Sequence, residues 1–189
     1  MKYYNQRNYP HILFPSKGFP EESICISGCG PTCCSMLVEN LTKHAFDPIE
    51  SAAYAIEVGA RDDAGTDMKI LGPRVAERFG FHYHTGNDIE EVLDFLQKEK
   101  GFVIANSGGN EEGYTGVFTE GGHYILLTAA KGRVIEVLDP SLYPDKFSRP
   151  GRKEKVFWIG ERIYCDAQFV MDDCRNRDPA FYFFEPKEA

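Results

Sequence analysis

The apolar residues of this chain change their spacing once, near Gly101, and that change constrains its fold more than any other feature. Upstream they recur at helical intervals. Pro31 suits a first helical position, and Cys34, Leu37, Val38 and Leu41 follow at i, i+3, i+4, i+7. Asp47-Pro48-Ile49-Glu50 announces a second helix, with a stripe of Ile49, Ala52, Ala53 and Ile56. A third spans Thr66 to Phe79, interrupted at Gly72-Pro73 and closed by Gly80; a fourth starts at Asn87 or Asp88 and buries Ile89, Val92, Leu93 and Leu96. Downstream, Phe102–Ala105, His123–Thr128, Arg133–Leu138 and Phe181–Phe184 read as strands, while Lys155 to Asp173 fits either period. Helices followed by antiparallel strands predict an α+β fold.

A length of 189 residues predicts one domain over 1–189, in three stretches: an extended arm (1–27), a helical part (28–100) and a sheet part (101–189). Tyr3, Tyr4, Tyr9 and Phe14 are expected to pin the arm down. The net charge of −8 opposes nucleic-acid binding, which needs clustered cations, and the single basic stretch, Arg149 to Lys155, reads as a solvated loop. No apolar run is long enough for membrane insertion and no signal-peptide core is present, so a cytoplasmic location is expected unless an export signal has been removed. The sequence says nothing about oligomeric state.

Six cysteines raise the question of disulfides, metal or nucleophile. Cys25, Cys29, Cys33 and Cys34 cluster with spacings that match no common zinc site, so neither metal nor organic cofactor is expected. Cys33 and Cys34 read as core residues, and Cys165 and Cys174 are the one spaced pair able to bridge. Cys29 opens the first helix between Gly28 and Gly30. There the helix dipole favours thiolate, and glycines on both sides leave space for a substrate backbone. Those residues alone fit a nucleophile and a small buried turn residue equally well.

A thiolate nucleophile needs a base. His44 is too distant along its own helix; His82 and His84 share one face of an extended segment; His11, in the arm, stays open. His123 has geometric support. A hairpin loop centred on Lys131 puts Asp139 directly opposite His123 on the same face, close enough to orient its ring. A turn residue before Pro140 is the plainer reading of Asp139. The Gly-rich loop from Ser107 to Gly116 is a candidate flap over such a site, although an ordinary surface loop is the commoner arrangement.

Tyr4-Asn5-Gln6, Ser27-Gly28-Cys29-Gly30-Pro31-Thr32, Gly122-His123-Tyr124 and Leu138-Asp139-Pro140-Ser141, in that order, resemble papain-like cysteine peptidases. More narrowly, the chain resembles stand-alone relatives of the bacteriocin leader-processing peptidases of the double-glycine-leader type, over residues 4 to about 141. The resemblance implies a papain-like α+β fold and hydrolysis of a peptide or amide substrate through a thioester on Cys29. It further implies His123 as base and then acid, Asp139 as its orienter, and Gln6 as oxyanion donor beside the Cys29 N–H. Gln6 lies 23 residues ahead of Cys29, so the arm must fold back to deliver it. Gly28 stands where those relatives carry an acidic residue. Acyl transfer through the same thioester, or a peptide-binding domain that keeps only the cleft, are the alternatives.

Overall fold

The computed structural model describes residues 1–187. The arm carries a 3-10 turn (Gln6–Asn8) and a short helix, α1 (Ile24–Ser27). After it come α2 (Cys29–Leu41), α3 (Pro48–Glu57), a hairpin of β1 (Arg61–Asp62) and β2 (Gly65–Thr66), and α4 (Met68–Phe79). The chain continues through β3 (Phe81–Gly86), α5 (Ile89–Gln97), β4 (Phe102–Ser107), β5 (His123–Lys131) and β6 (Val134–Leu138). It ends with β7 (Val156–Ile159), β8 (Arg162–Asp166), α6 (Ala167–Cys174) and β9 (Phe181–Pro186).

Strands β3 to β9 form one sheet in the order β3-β9-β4-β5-β6-β8-β7, each neighbouring pair antiparallel. Its central strands are buried on both faces. Phe102, Ile104, Leu126, Tyr182 and Phe184 join the core built on α2, α3 and α4. Their neighbours Val103, Ala105, Leu127, Phe181 and Phe183 join the core built on α5 and α6. Alternate residues of each strand point to opposite faces, so a strand covered by helices on both sides reads as a continuous apolar run. The fold is the expected α+β papain-like one.

Several local expectations are corrected. The stretch read as helical also supplies the β1–β2 hairpin and the sheet's edge strand β3, while the ambiguous span Lys155 to Asp173 resolves into β7, β8 and most of α6. Helix α3 has the expected Asp47 cap, but Ile49 and Ile56 are exposed and its buried face is Pro48, Ser51, Ala52 and Ala55. Close approach to α2 explains this: Ser51 Oγ donates to the Pro31 carbonyl at 2.8 Å, which only small side chains permit. Helix α4 starts at Met68 and runs unbroken through Pro73. Gly72 answers to packing there, since a Cβ would lie 2.8 Å from the Tyr83 hydroxyl. Gly80, with φ 75°, ends the helix in the left-handed region.

The arm folds back across the segment that follows β6. Tyr3 Oη donates to the Asp139 carbonyl at 2.7 Å, Asn5 Nδ2 to that of Leu142 at 2.8 Å, and Gln6 N to that of Pro140 at 2.7 Å. Phe14 is fully buried, and Tyr3, Tyr4 and Tyr9 pack against the core beside α2.

Candidate active site

Helix α2 begins at Cys29 itself, so the thiol sits in the first turn, where the backbone N–H groups have no intrahelical acceptor. The flanking glycines do not hold space open for a substrate. A Cβ on Gly28 would lie 2.5 Å from the Ile24 carbonyl oxygen, and one on Gly30 would lie 2.8 Å from Thr66 Cβ. They let α1 turn sharply into α2 and let β2 lie against the start of α2.

His123 opens β5 and is 8% exposed, and Asp139, one residue past β6, is fully buried. They are not directly opposite. The turn falls at Gly132-Arg133, with Lys131 paired to Val134, and a bulge at Thr128 shifts the register so that Leu126 faces Leu138. Extending that register places His123 two residues away from Asp139 on the partner strand but on the same face. Their contact is made diagonally: His123 Nε2 donates to Asp139 Oδ1 at 2.8 Å, an orientation the ionised carboxylate requires. Nδ1 is left for the thiol of Cys29.

Asp139 is held from three sides. Oδ1 also accepts from the Ser141 N–H at 2.8 Å, and Oδ2 accepts from Lys146 Nζ at 2.5 Å. Lys146 is itself buried. Burial disfavours the charged carboxylate, but the Lys146 ammonium and the His123 imidazolium outweigh it and hold Asp139 well below the usual carboxylate range. Burial likewise disfavours charge on His123, yet the Asp139 carboxylate raises it from 6.5 to about 9. For Cys29 burial opposes ionisation; hydrogen bonding from His123, its positive charge, and the N–H groups of Tyr124 and Gly30 reverse that and lower the thiol. The three shifts run in one direction, each favouring the charged form: thiolate, imidazolium and carboxylate. Burial pushes the thiols of Cys33, Cys34, Cys165 and Cys174 up instead. Cys165 and Cys174 remain free, so the pair able to bridge does not.

Cys29 and His123 line a cleft of about 340 Å3 whose floor and rim include Thr66, Asn106, Gly122, Tyr124 and Arg177. The hairpin and its flanks add Asp62, Asp63 and Asp67. His11, His44, His82 and His84 are all exposed and none lines this cleft. His84 stacks on Phe183, with ring centroids 4.3 Å apart, and its Nε2 meets Glu91 at 3.0 Å.

Gln6 is buried beside the same turn, but its Nε2 donates to the carbonyls of Cys25 at 3.0 Å and Ile26 at 3.4 Å. Its Oε1 has no partner. The Ser107–Gly116 loop does not line the cleft and is not free to act as a flap. The buried carboxylate of Asp173 accepts from Ser107 Oγ, from the N–H groups of Val117 and Phe118, and from the Tyr114 hydroxyl, tying the loop to α6.

Three contributors escape the sequence reading. Lys146 is one cation in a long loop and Arg177 one in the link between α6 and β9; nothing local distinguishes either. Asp62-Asp63-Ala64-Gly65 does carry a turn signal. Its place in the cleft depends on Gly30, 35 residues earlier.

A thiol at a helix N-terminus facing a histidine–carboxylate pair on an antiparallel sheet defines the papain-like architecture. The chain matches the Peptidase_C39 like family over residues 1–152 and belongs to it. Among solved structures it is similar to the peptidase domain of Streptococcus ComA, described as a bi-functional ABC transporter involved in a quorum-sensing pathway. The TM-score is 0.53 at 13% identity, over 86% of this chain and 93% of that one, a likeness of fold. No curated protein sequence matches the chain. Among the described residues no helix is long and apolar enough to cross a membrane.

Proposed function

We propose that the chain hydrolyses a peptide or amide bond through a thioester on Cys29. The observation that carries this reading is the buried Lys146–Asp139–His123 chain of contacts ending at a half-buried thiol whose ionisation it favours. The Cys29 thiolate attacks the carbonyl carbon, and the carbonyl oxygen takes up negative charge. As the C–N bond breaks, the His123 imidazolium passes its proton to the departing amine. Neutral His123 then takes a proton from water, whose oxygen attacks the thioester, and the acid and the thiolate are released. Asp139 holds the ring with Nε2–H turned away from the thiol and stabilises the imidazolium.

The developing oxyanion needs donors fixed in advance. The Cys29 N–H, in the first turn of α2, supplies one. Gln6 supplies the second by turning its amide from the Cys25 and Ile26 carbonyls. No hydrogen bond anchors Oε1, so only the two Nε2 contacts oppose that rotation.

The test uses p-nitrophenyl esters of short acylated amino acids. A burst of nitrophenol should accompany an acyl group mapped by mass spectrometry to Cys29. Cys29→Ala should abolish both, and Gln6→Ala should slow the burst by about 10²-fold. Acylation of another cysteine, or an undiminished burst in Cys29→Ala, refutes the assignment.

A further inference from the structure

Arg177 stands apart from the other cleft residues. Its Nε is buried without a hydrogen-bond partner, and among the described residues its guanidinium joins no ion pair. None of the neighbouring acids is its ion-pair partner: Asp62, Asp63 and Asp67 accept from the backbone N–H groups of Ala64, Gly18 and Lys69, and Glu22 pairs with Arg61. The guanidinium lies over Gly122, where an added Cβ would sit 3.2 Å from Nη2, and Gly122 directly precedes His123. Arg177 also falls beyond residues 1–152, the part matched by the family. Beside the residues proposed to react, the Nη groups of Arg177 have no protein acceptor among the described residues and form a planar fork of donors that matches a carboxylate.

We propose that Arg177 is the anion-reading residue of the cleft, selecting substrates that place a carboxylate beside the scissile bond. The inference rests on the reading of Cys29 as nucleophile. The carboxylate belongs to an acidic side chain or to a free peptide C-terminus; the chemistry is shared. Arg177 and Cys29 line the same cleft, so an anion held by Arg177 lies close to the reacting carbonyl.

Four iodoacetyl probes separate the possibilities. Iodoacetyl-glutamate α-amide is compared with iodoacetyl-glutamine α-amide for a side-chain carboxylate, and iodoacetyl-glycine with iodoacetyl-glycinamide for a terminal one. In each, the thiolate forms an S–C bond as the C–I bond breaks and iodide leaves. Labelling of Cys29 is followed by mass spectrometry in the wild type, Arg177→Met and Arg177→Lys. At least one acidic probe should outpace its neutral partner in the wild type by roughly tenfold more than in Arg177→Met. The neutral probes give each protein its own reference, so a change in the reactivity of Cys29 itself cancels in the acid-to-neutral ratio, and Arg177→Lys should keep part of the preference. Which pair responds identifies the source of the carboxylate. The attraction of His123 for anions is common to all three proteins and cancels in the ratio. Equal acid-to-neutral ratios in wild type and Arg177→Met, with Cys29 still labelled selectively, overturn the role of Arg177 alone. Labelling that does not favour Cys29 with any probe overturns the nucleophile as well.

Discussion

Asp139→Asn isolates the charge that supports the proposed thiolate–imidazolium pair. The amide is nearly isosteric and can still accept from His123 Nε2, but it carries no charge. In the wild type His123 is raised from 6.5 to about 9 against the opposing effect of burial, and that distance is worth about 3 kcal/mol at 1.36 kcal/mol per pH unit. With asparagine the burial is unchanged and the largest favourable contribution is gone, so His123 is neutral at pH 7. The thiolate then loses its counter-ion, and the reactive form should fall by about a hundredfold at neutral pH. The assay is the pH profile of Cys29 labelling by limiting iodoacetamide, with circular dichroism confirming the fold. The wild type should react across a broad plateau from acidic pH to near 9; Asp139→Asn should show only one rise at alkaline pH. Stability has a matching sign. A histidine raised on folding contributes fully below 6.5 and loses that contribution as pH rises through about 9. The stability gap between the two proteins should therefore narrow over that interval. A plateau that survives at pH 6 in Asp139→Asn refutes the reasoning and would leave the helix N-terminus as sufficient to ionise the thiol.

Three further variants probe Lys146, Gly30 and Asp173. Lys146→Met leaves the Asp139 carboxylate buried with one cation fewer, so urea unfolding should show a loss of about 3–5 kcal/mol. Because Asp139 ionisation stabilises above the ordinary carboxylate pKa and is lost as pH falls, the variant should also unfold at a higher pH on acid titration. Gly30→Ala drives a Cβ to 2.8 Å from Thr66 Cβ, and thermal melts should register about 1–3 kcal/mol of destabilisation together with slower acylation of Cys29. Asp173→Asn weakens the carboxylate that anchors Ser107 and Val117, and amide hydrogen exchange should accelerate across residues 107–118 while α2 stays protected.

What the sequence made legible divides along a physical line. Elements set by local chemistry could be read directly: Asp47 and Asp88 cap their helices with side chains that accept from N–H groups two residues on, and the apolar runs of β4 and β9 follow from burial on both faces. Features set by partners far along the chain could not. Nothing near Ile49 says that α3 must turn a small-residue face to α2, and nothing near Ser107 says that Asp173 will hold its loop.

The His123–Asp139 contact shows how fine that line is. A two-residue turn at Gly132-Arg133 alone would put His123 and Asp139 on opposite faces of the sheet, because it changes the register by an odd number from one centred on Lys131. The bulge at Thr128 inserts one residue on the β5 side only. That restores the parity, and His123 returns to the face that carries Asp139. Thr128 Oγ1 meets Glu136 Oε1 at 2.9 Å, bonding the bulged strand to its neighbour where the register breaks. Residue spacing therefore pointed to two side chains that do meet, through a register that does not form. What brings the two side chains together is an irregularity five residues from His123, and it is a structural requirement of the site as much as the residues that touch the thiol.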